Sequence, residues 1–436
     1  MTQSNLNFTE GHEIPEGYKK TEVGVIPNDW ETPKFGEICT LINGRGFKPY
    51  EWSKKGLPII RIQNLNGSDD FNYYEGAYDP KIFIENGQLL FAWSGSRGTS
   101  FGPHIWKGQN ALLNYHTWKL NINHSKVDDK YFYHILKSLT KIIEDSAHGA
   151  SALVHTQKGE MEQFDIPMPP SRIEQEKIAT ALSDTDALIS ELEKLIEKKQ
   201  AIKIATMQQL LTGKTRLPEF ALREDGTPKA YKDSELGQIP EDWDVKKLSE
   251  ITTYINDGTH FTPNYVKNGI PFYSVENVSS NDFENVKYIT NEEHQSLLKR
   301  CHPERGDILL TRIGTLAKTR LIDWDIDASI YVSLALIKLN KNILSSFVYA
   351  FTKTDIFMRE VEKRSLVNAT PQKINMDEIK NVPIIISNDM KEQVDLANIY
   401  LSLEGDLNKL TKQLFKLENI KVGMMQELLT GKTRLV

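Results

Sequence analysis

The sequence predicts an α+β chain with an internal pseudo-twofold repeat: two globular α/β domains joined by two long antiparallel helices that pair as a coiled coil. Three observations predict it. Residues 207–217 (MQQLLTGKTRL) return almost letter for letter at 425–435 (MQELLTGKTRL), displaced by 218, half of the 436-residue chain. Residues 20–30 (KTEVGVIPNDW) are echoed at 233–243 (DSELGQIPEDW), displaced by 213. Ahead of each closing repeat runs a long helical pattern with a sustained apolar stripe. Repetition over such distances means two copies of one structural unit. What differs between the copies should then carry the function.

Each half opens with Gly-x-Ile-Pro-x-Asp-Trp, a turn followed by a large aromatic anchor. Short apolar runs between turn signals follow. In the first half, residues 57–62, 87–93 and 111–113 read as strands bounded by Gly and Asn, and residues 130–140 as a helix. In the second half, residues 270–275, 307–312 and 329–336 read as strands, and residues 345–361 as a helix. Pro167-Met168-Pro169-Pro170 stops the first domain. Ser171 can cap a helix with Glu174 three residues on, a capping-box pattern. The 42 residues from Ser171 to Thr212 lack proline and glycine, and Gly213 stands where a C-cap belongs.

The apolar stripe of this helix is Ile178, Leu182, Ile189, Leu192 and Ile196, spaced by fours and threes once Thr185 is included. The second copy is stricter: Leu403, Leu407, Leu410, Leu414 and Leu417, then Met424 and Leu428 after a polar Lys421. That is a heptad seam. A helix of 42 residues spans about 63 Å and has no core of its own. Its nearest partner is its own repeat. Thr185, Lys199 and Lys203 interrupt the first seam, so it is expected either to pair imperfectly or to offer those positions to partners. The expected segments are a first domain at 1–166 (variable part about 33–158), a first long helix at 167–217, a second domain at 218–384 (variable part about 246–373) and a second long helix at 385–436. The expected picture is two heads on a shaft that fixes their separation.

Composition narrows the class. Hydrophobic content of 39% and charged content of 26% are those of a globular protein. No stretch approaches the roughly 18 apolar residues of a membrane span, and residues 1–13 lack the basic and apolar regions of a signal peptide. Two cysteines, Cys39 and Cys301, make neither a disulfide framework nor a zinc cluster; both read as buried small hydrophobes in a reducing cytoplasm. The net charge of −6 is uneven: residues 33–158 carry +4 and residues 246–373 carry +2, so the remaining frame is acidic. A local basic face matters more for phosphate binding than the total. Ordinary surface charge accounts for these counts equally well.

Several chemical motifs fail on inspection. Gly213-Lys214-Thr215 and Gly431-Lys432-Thr433 lack the earlier glycine of a phosphate loop and follow a helix rather than precede one. There, a cation simply complements the negative helix end. Residues 95–102 form a polar loop without a dinucleotide register. Neither half shows the Asn/Asp-Pro-Pro-Tyr/Phe sequence of amino-methyltransferases or a glycine-rich S-adenosylmethionine loop. Glu197-Lys198-Lys199 satisfies a nuclease-like Glu-x-Lys but lies on the shaft, where a solvated face is the simpler reading. The histidines show no metal-ligand spacing, and no catalytic constellation emerges.

What remains is polar, aromatic and basic residues interleaved in loops. The first domain offers Arg45, Lys48, Arg61, Gln63, Asn64, Ser94, Ser96, Arg97, Thr99, His116 and Lys158. The second offers Thr259, His260, Thr262, Tyr273, Ser274, Asn277, Arg312, Thr315, Lys318 and Lys373. Arg, Gln and Asn can address guanine or adenine edges through paired hydrogen bonds, while Lys, Ser and Thr hold phosphates. For any one of these the plain alternative is a surface-loop or strand-end hydrogen bond. Their clustering at matching stations of both halves points to double-stranded DNA.

The duplicated Gly-x-Ile-Pro-x-Asp-Trp opening, the Leu-Thr-Gly-Lys-Thr-Arg-Leu close and the two helices resemble the specificity subunit of type I restriction–modification enzymes, over the whole chain. Residues 257–263 (DGTHFTP) and 56–65 (GLPIIRIQNL) also look like recurrent openings of that family's target recognition domains. The resemblance implies a non-catalytic chain that binds an asymmetric bipartite DNA sequence, one half-site per domain, with a spacer set by the helices. It further implies two modification subunits that use S-adenosylmethionine to methylate adenine, and two restriction subunits that use ATP and Mg2+. No cofactor is implied for this chain itself. A different class stays open on the residues alone: a helical-stalk scaffold whose heads bind protein.

Overall fold

The computed structural model describes residues 14–147, 153–366 and 368–436; the segment 1–13, expected not to be a signal peptide, lies outside them. The chain divides into two compact units, residues 1–193 with 413–436, and residues 194–412. Each division falls inside a long helix, so each helix gives one part to each unit.

The core sheet of the first unit runs in the order Cys39–Asn43, Thr117–Ile122, Leu89–Ala92, Gly102–Ile105. A second sheet runs Asn72–Tyr74, Leu57–Ile60, Ala111–Leu113, Phe83–Ile84. In the second unit the order Thr252–Asp257, Leu334–Leu339, Ile308–Thr311, Thr319–Leu321 repeats the first sheet. The order Lys287–Ile289, Ile270–Tyr273, Ser329–Ile330 repeats three strands of the other. Among the described strands each domain has one parallel strand pair, Leu112 beside Ile59 and Phe272 beside Ser329. Alternating burial pins the register: Leu41, Leu120 and Phe91 enter the first core, and Ala335, Ile337 and Ile308 the second.

The expected strands exist but several end early, for the same reason in both halves. The run 57–62 stops at Ile60, and Ile62–Leu65 forms one helical turn. The Asn64 side chain accepts the Arg61 N–H at 3.0 Å and donates to the Ser68 and Asp70 carbonyls, which curls the chain out of the sheet. Asn277, 213 residues on, does the same with the Ser274 N–H (2.9 Å) and the Asp282 carbonyl, so run 270–275 ends at Tyr273. The run 329–336 splits at residues 331–333, because Ser329–Ile330 belongs to one sheet and Leu334–Leu339 to the other. The helix expected at 130–140 extends over Asp129–Ser146, started by the Asp128 side chain on the Lys130 and Tyr131 amides. The helix expected at 345–361 is two, Ser345–Phe351 and Asp355–Lys363, because the Thr354 side chain caps the second.

The long helices are Arg172–Leu210 and Met390–Leu428, 39 residues each. Ser171 caps the first through the Glu174 N–H (3.4 Å). Glu174 itself does not complete the capping box: its carboxylate is taken by Arg434. The helices run antiparallel within each unit. In the first, Thr185 meets Met424 and Asp186 pairs with Lys421, while Ile178 and Leu182 share a core with Leu428. In the second, Lys203 pairs with Glu404 and Lys199 lies 4.0 Å from Asp406. Ile189, Leu192, Ile196, Leu403, Leu410, Leu414 and Leu417 are half-buried and Leu407 is buried, as a seam requires. The interruptions are therefore part of the pairing. Thr185 is buried with its hydroxyl on the Ala181 carbonyl, and Lys199 and Lys203 face acids of the other helix rather than a partner.

The two repeats seen in the sequence lock together. In the first unit the closing repeat of the second half covers the opening repeat of the first: Arg434 binds Glu174 (2.6 Å) and Asp29 (2.9 Å) and lies 5.7 Å from the Trp30 ring. In the second unit the closing repeat of the first half covers the opening repeat of the second: Arg216 binds Glu392 (2.6 Å) and Asp242 (2.8 Å) and lies 5.4 Å from the Trp243 ring. Gly213 and Gly431 end the helices with φ +71° and +70°. A Cβ there would sit 2.3 Å from Pro240 and 2.6 Å from Pro27 respectively, so only glycine fits the joint. This is the role of the Gly-Lys-Thr segments. Cys39 and Cys301 are buried and free, and burial pushes both thiols up to about 12.

Candidate nucleic-acid interface

In each domain the chain leaves the first core strand through a glycine and passes close to the crossover between the two sheets. A Cβ on Gly44 would sit 2.0 Å from the Asn114 carbonyl oxygen, and one on Gly258 2.0 Å from that of Ile330. The following residues bridge to the crossover, Arg45 to Asn114 and Thr259 to Tyr331. These two joints are the matching stations that the loop sequences indicated. Both are built by backbone, so the side chains upon them are free to differ.

At the first joint Arg45 forms an ion pair with Glu51 and stacks 4.8 Å from the Phe47 ring and 5.1 Å from the Tyr74 ring. Lys48 beside it is exposed. Arg61 lies 5.7 Å from the Trp52 ring and, with exposed Gln63, donates to the Asp70 carbonyl. A cavity of about 200 Å³ opens between Arg61, Gln63 and the crossover residues Asn114, Tyr115 and His116. Burial lowers the His116 pKa, so the ring is neutral at pH 7, a donor and an acceptor at once. Around this cluster Tyr50, Trp52 and Tyr115 are exposed, large faces on which bases can stack. The candidate set read from the sequence omits these three, although their alternation with Arg and Lys was the available signal.

Other candidates of the first domain stand apart. Ser94 and Ser96 lie in a strand paired with Leu153–His155, so that part of the expected polar loop is sheet. Exposed Arg97 donates to the Ala147 carbonyl, and Thr99 to that of Ser96. Lys158 reaches the Leu41 carbonyl at 2.8 Å. Asn64 is buried and spent on its own loop, so it has no group left for a base.

In the second domain His260 and Thr262 are exposed, as are Thr315, Lys318 and Lys373. Five other candidates are buried or bonded within the domain. Thr259 is inside the joint, Tyr273 packs against Phe283 in the core, and Asn277 repeats the internal role of Asn64. Ser274 caps the helix Val275–Ser280 through the Glu276 N–H. Arg312 is turned inward, bonded to Asp257 (3.0 Å) and to the carbonyls of Val332 and Ile374. In this structure these side chains are engaged in holding their own loops.

Among the described residues no group of three or more His, Cys, Asp and Glu is placed to hold a metal. No helix among them is long and apolar enough to cross a membrane.

Two domains of one topology with unlike side chains at matched stations, tied to a pair of long helices, define a duplicated recognition protein. The family model of the type I restriction modification DNA specificity domain matches the chain twice, at residues 27–203 and 240–419, so the chain belongs to that family and is a DNA specificity subunit of a type I restriction–modification system. It is similar to the type I restriction enzyme MjaVIII specificity subunit of Methanocaldococcus jannaschii, with 26% identity, covering 96% of each chain. It is also similar to the EcoBI specificity subunit of Escherichia coli, with 23% identity over 89% of this chain and 82% of that one. Among solved structures, the type I restriction-modification S subunit of M. genitalium shares the fold with a TM-score of 0.60 at 17% identity, covering 92% and 96% of the two chains.

Proposed function

We propose that this chain reads an asymmetric bipartite DNA target, one half-site per domain, with a spacer set by its two helices. The observation that carries this reading is the pair of matched joints: the same backbone at Gly44 and Gly258 presents Arg45, Tyr115 and His116 in one domain and His260 and Tyr331 in the other. Identical scaffolds with unlike side chains suit unlike half-sites. The chain itself would do no chemistry. Two modification subunits would supply methylation with S-adenosylmethionine, and two restriction subunits would use ATP and Mg2+, all in the cytoplasm. Large apolar side chains left exposed on the helices, among them Leu188, Ile204, Phe415 and Val422, support docking of partner helices there.

The test is exchange of residues 33–158 for the corresponding segment of another specificity subunit, followed by methylome sequencing of a host carrying the complete system. One half-site should change and the other persist. Alteration of both, or of neither, refutes the reading.

A further inference from the structure

One guanidinium that no sequence motif marked is held at the second joint. Asp257, 3% exposed, carries three partners: Arg312, Arg300 and His260. Arg312 is buried and faces inward, but the side chains of Arg300 and His260 are 44% and 63% exposed. Arg300 arrives from just beyond the helix Asn291–Leu298. Its Nε donates to the carbonyls of Asp257 (3.2 Å) and Gly258 (3.1 Å), and its Nη2 donates to the Asp257 carboxylate. The His260 Nε2 lies 2.9 Å from the same carboxylate and 3.2 Å from Arg300 Nη2, so two donors share one acid. Nη1, with its two N–H groups, is left to meet outside acceptors. The side chain is fixed before any ligand arrives.

The first joint has a counterpart from another part of the chain. Arg45, 38% exposed, follows Gly44 directly, is gripped by Glu51 and lies against Phe47 and Tyr74. The other Glu51 oxygen takes the Lys48 N–H at 2.8 Å, which fixes the acid too. In both domains a carboxylate stands behind an arginine at the Gly joint. A carboxylate there cancels much of the attraction for a phosphate, yet it fixes the guanidinium while leaving it part-exposed. A fork of fixed donors matches the O6 and N7 acceptors of guanine.

We propose that Arg300 and Arg45 are the guanine-reading side chains of the two half-sites, with Asp257 and Glu51 as the positioning residues that hold them. The inference rests on the bipartite reading above and adds the base and the residue. The experiment uses the complete methyltransferase assembly on a randomised-target library, with methylation read by sequencing. R300Q and R300K should each lower selection for guanine at one position of the second domain's half-site by about 5- to 150-fold, the range expected for one paired contact, and leave the other half-site intact. R45Q should do the same in the first domain's half-site. D257N should weaken selection at the Arg300 position less than R300Q does, while a merely structural role would lower methylation at all sites alike. Retention of guanine selection by both Arg300 variants, or uniform loss of methylation with an unchanged motif, overturns the assignment. So does a wild-type half-site that lacks guanine. If the wild-type assembly selects no bipartite motif at all, the broader reading has failed instead.

Discussion

Arg216 is expected to be worth more to this molecule than its exposed surroundings in sequence indicate. Its side chain is 5% exposed and that of its partner Glu392 is 1% exposed, with Nε–Oε1 at 2.6 Å and Nη2–Oε2 at 2.9 Å. Removing the arginine strands a carboxylate inside the second unit, still served by the Trp243 Nε1–H (2.8 Å) and the Ser387 hydroxyl (2.6 Å). Breaking a buried pair on one side costs about 3–5 kcal/mol. For a unit of this size that lowers the transition by roughly 6–20 °C. The equivalent Arg434 is 27% exposed, so water can reach the vacated site, and R434A should cost only about 1–3 kcal/mol. Because two units need not unfold together, the assay is hydrogen exchange read peptide by peptide across a denaturant series. R216A should weaken residues 194–412 more than R434A weakens residues 14–193. Adding E392Q to R216M should recover part of the loss by removing the stranded charge. A cost below about 1 kcal/mol for R216A, or no recovery in the double variant, would refute the reasoning.

Lys353 makes a pH-dependent prediction. Its ammonium is buried over the Tyr349 ring (4.5 Å), donates to the Thr319 carbonyl (2.6 Å), and has its pKa lowered to about 7 by burial and by Lys203, Lys318 and Arg320. An unfolded lysine binds its proton up to about 10.4, so stability rises with pH from about 7 to that value. K353M should raise the melting temperature most at pH 7 and below, and the gain should vanish by about pH 10.4; a pH-independent gain would contradict it. Asn64→Ala and Asn277→Ala should each destabilise their own domain by about 1–3 kcal/mol, since each leaves buried loop groups unpaired. The methylation motif should stay unchanged, and a shifted motif with unchanged stability would show that these side chains read bases after all.

The architecture was legible because it is written twice. Displacements of 218 and 213 announced the repeat, and the 3–4 spacing of leucines announced the seam. Strand positions were legible and strand ends were not, since Asn64 and Asn277 end them through hydrogen bonds that no periodicity records. The polar breaks in the seam looked like flaws because their answers, Asp186 for Lys421 and Glu404 for Lys203, lie some two hundred residues away. The proposed readers were hardest. Arg312 and Arg300 are both arginines near loops, and only the fold turns one inward onto Asp257 and leaves the other half in solvent. Arg312 sat in a suggestive Thr-Arg-Ile-Gly-Thr run, while Arg300 had no such company.

The joint between Arg434, Asp29 and Glu174 also sets a schedule for synthesis. The core of the first unit includes Leu428 and Leu429 beside Val23, Trp30 and Ile178, so it stays unfinished until those two leucines have left the ribosome. At about 5–20 residues per second, roughly 20–80 s pass between the emergence of Asp29 and that of Arg434. The second unit, residues 194–412, is contiguous and finishes sooner. The domain translated first is completed last, and until then Trp30 waits beside an empty berth for a strap still being made.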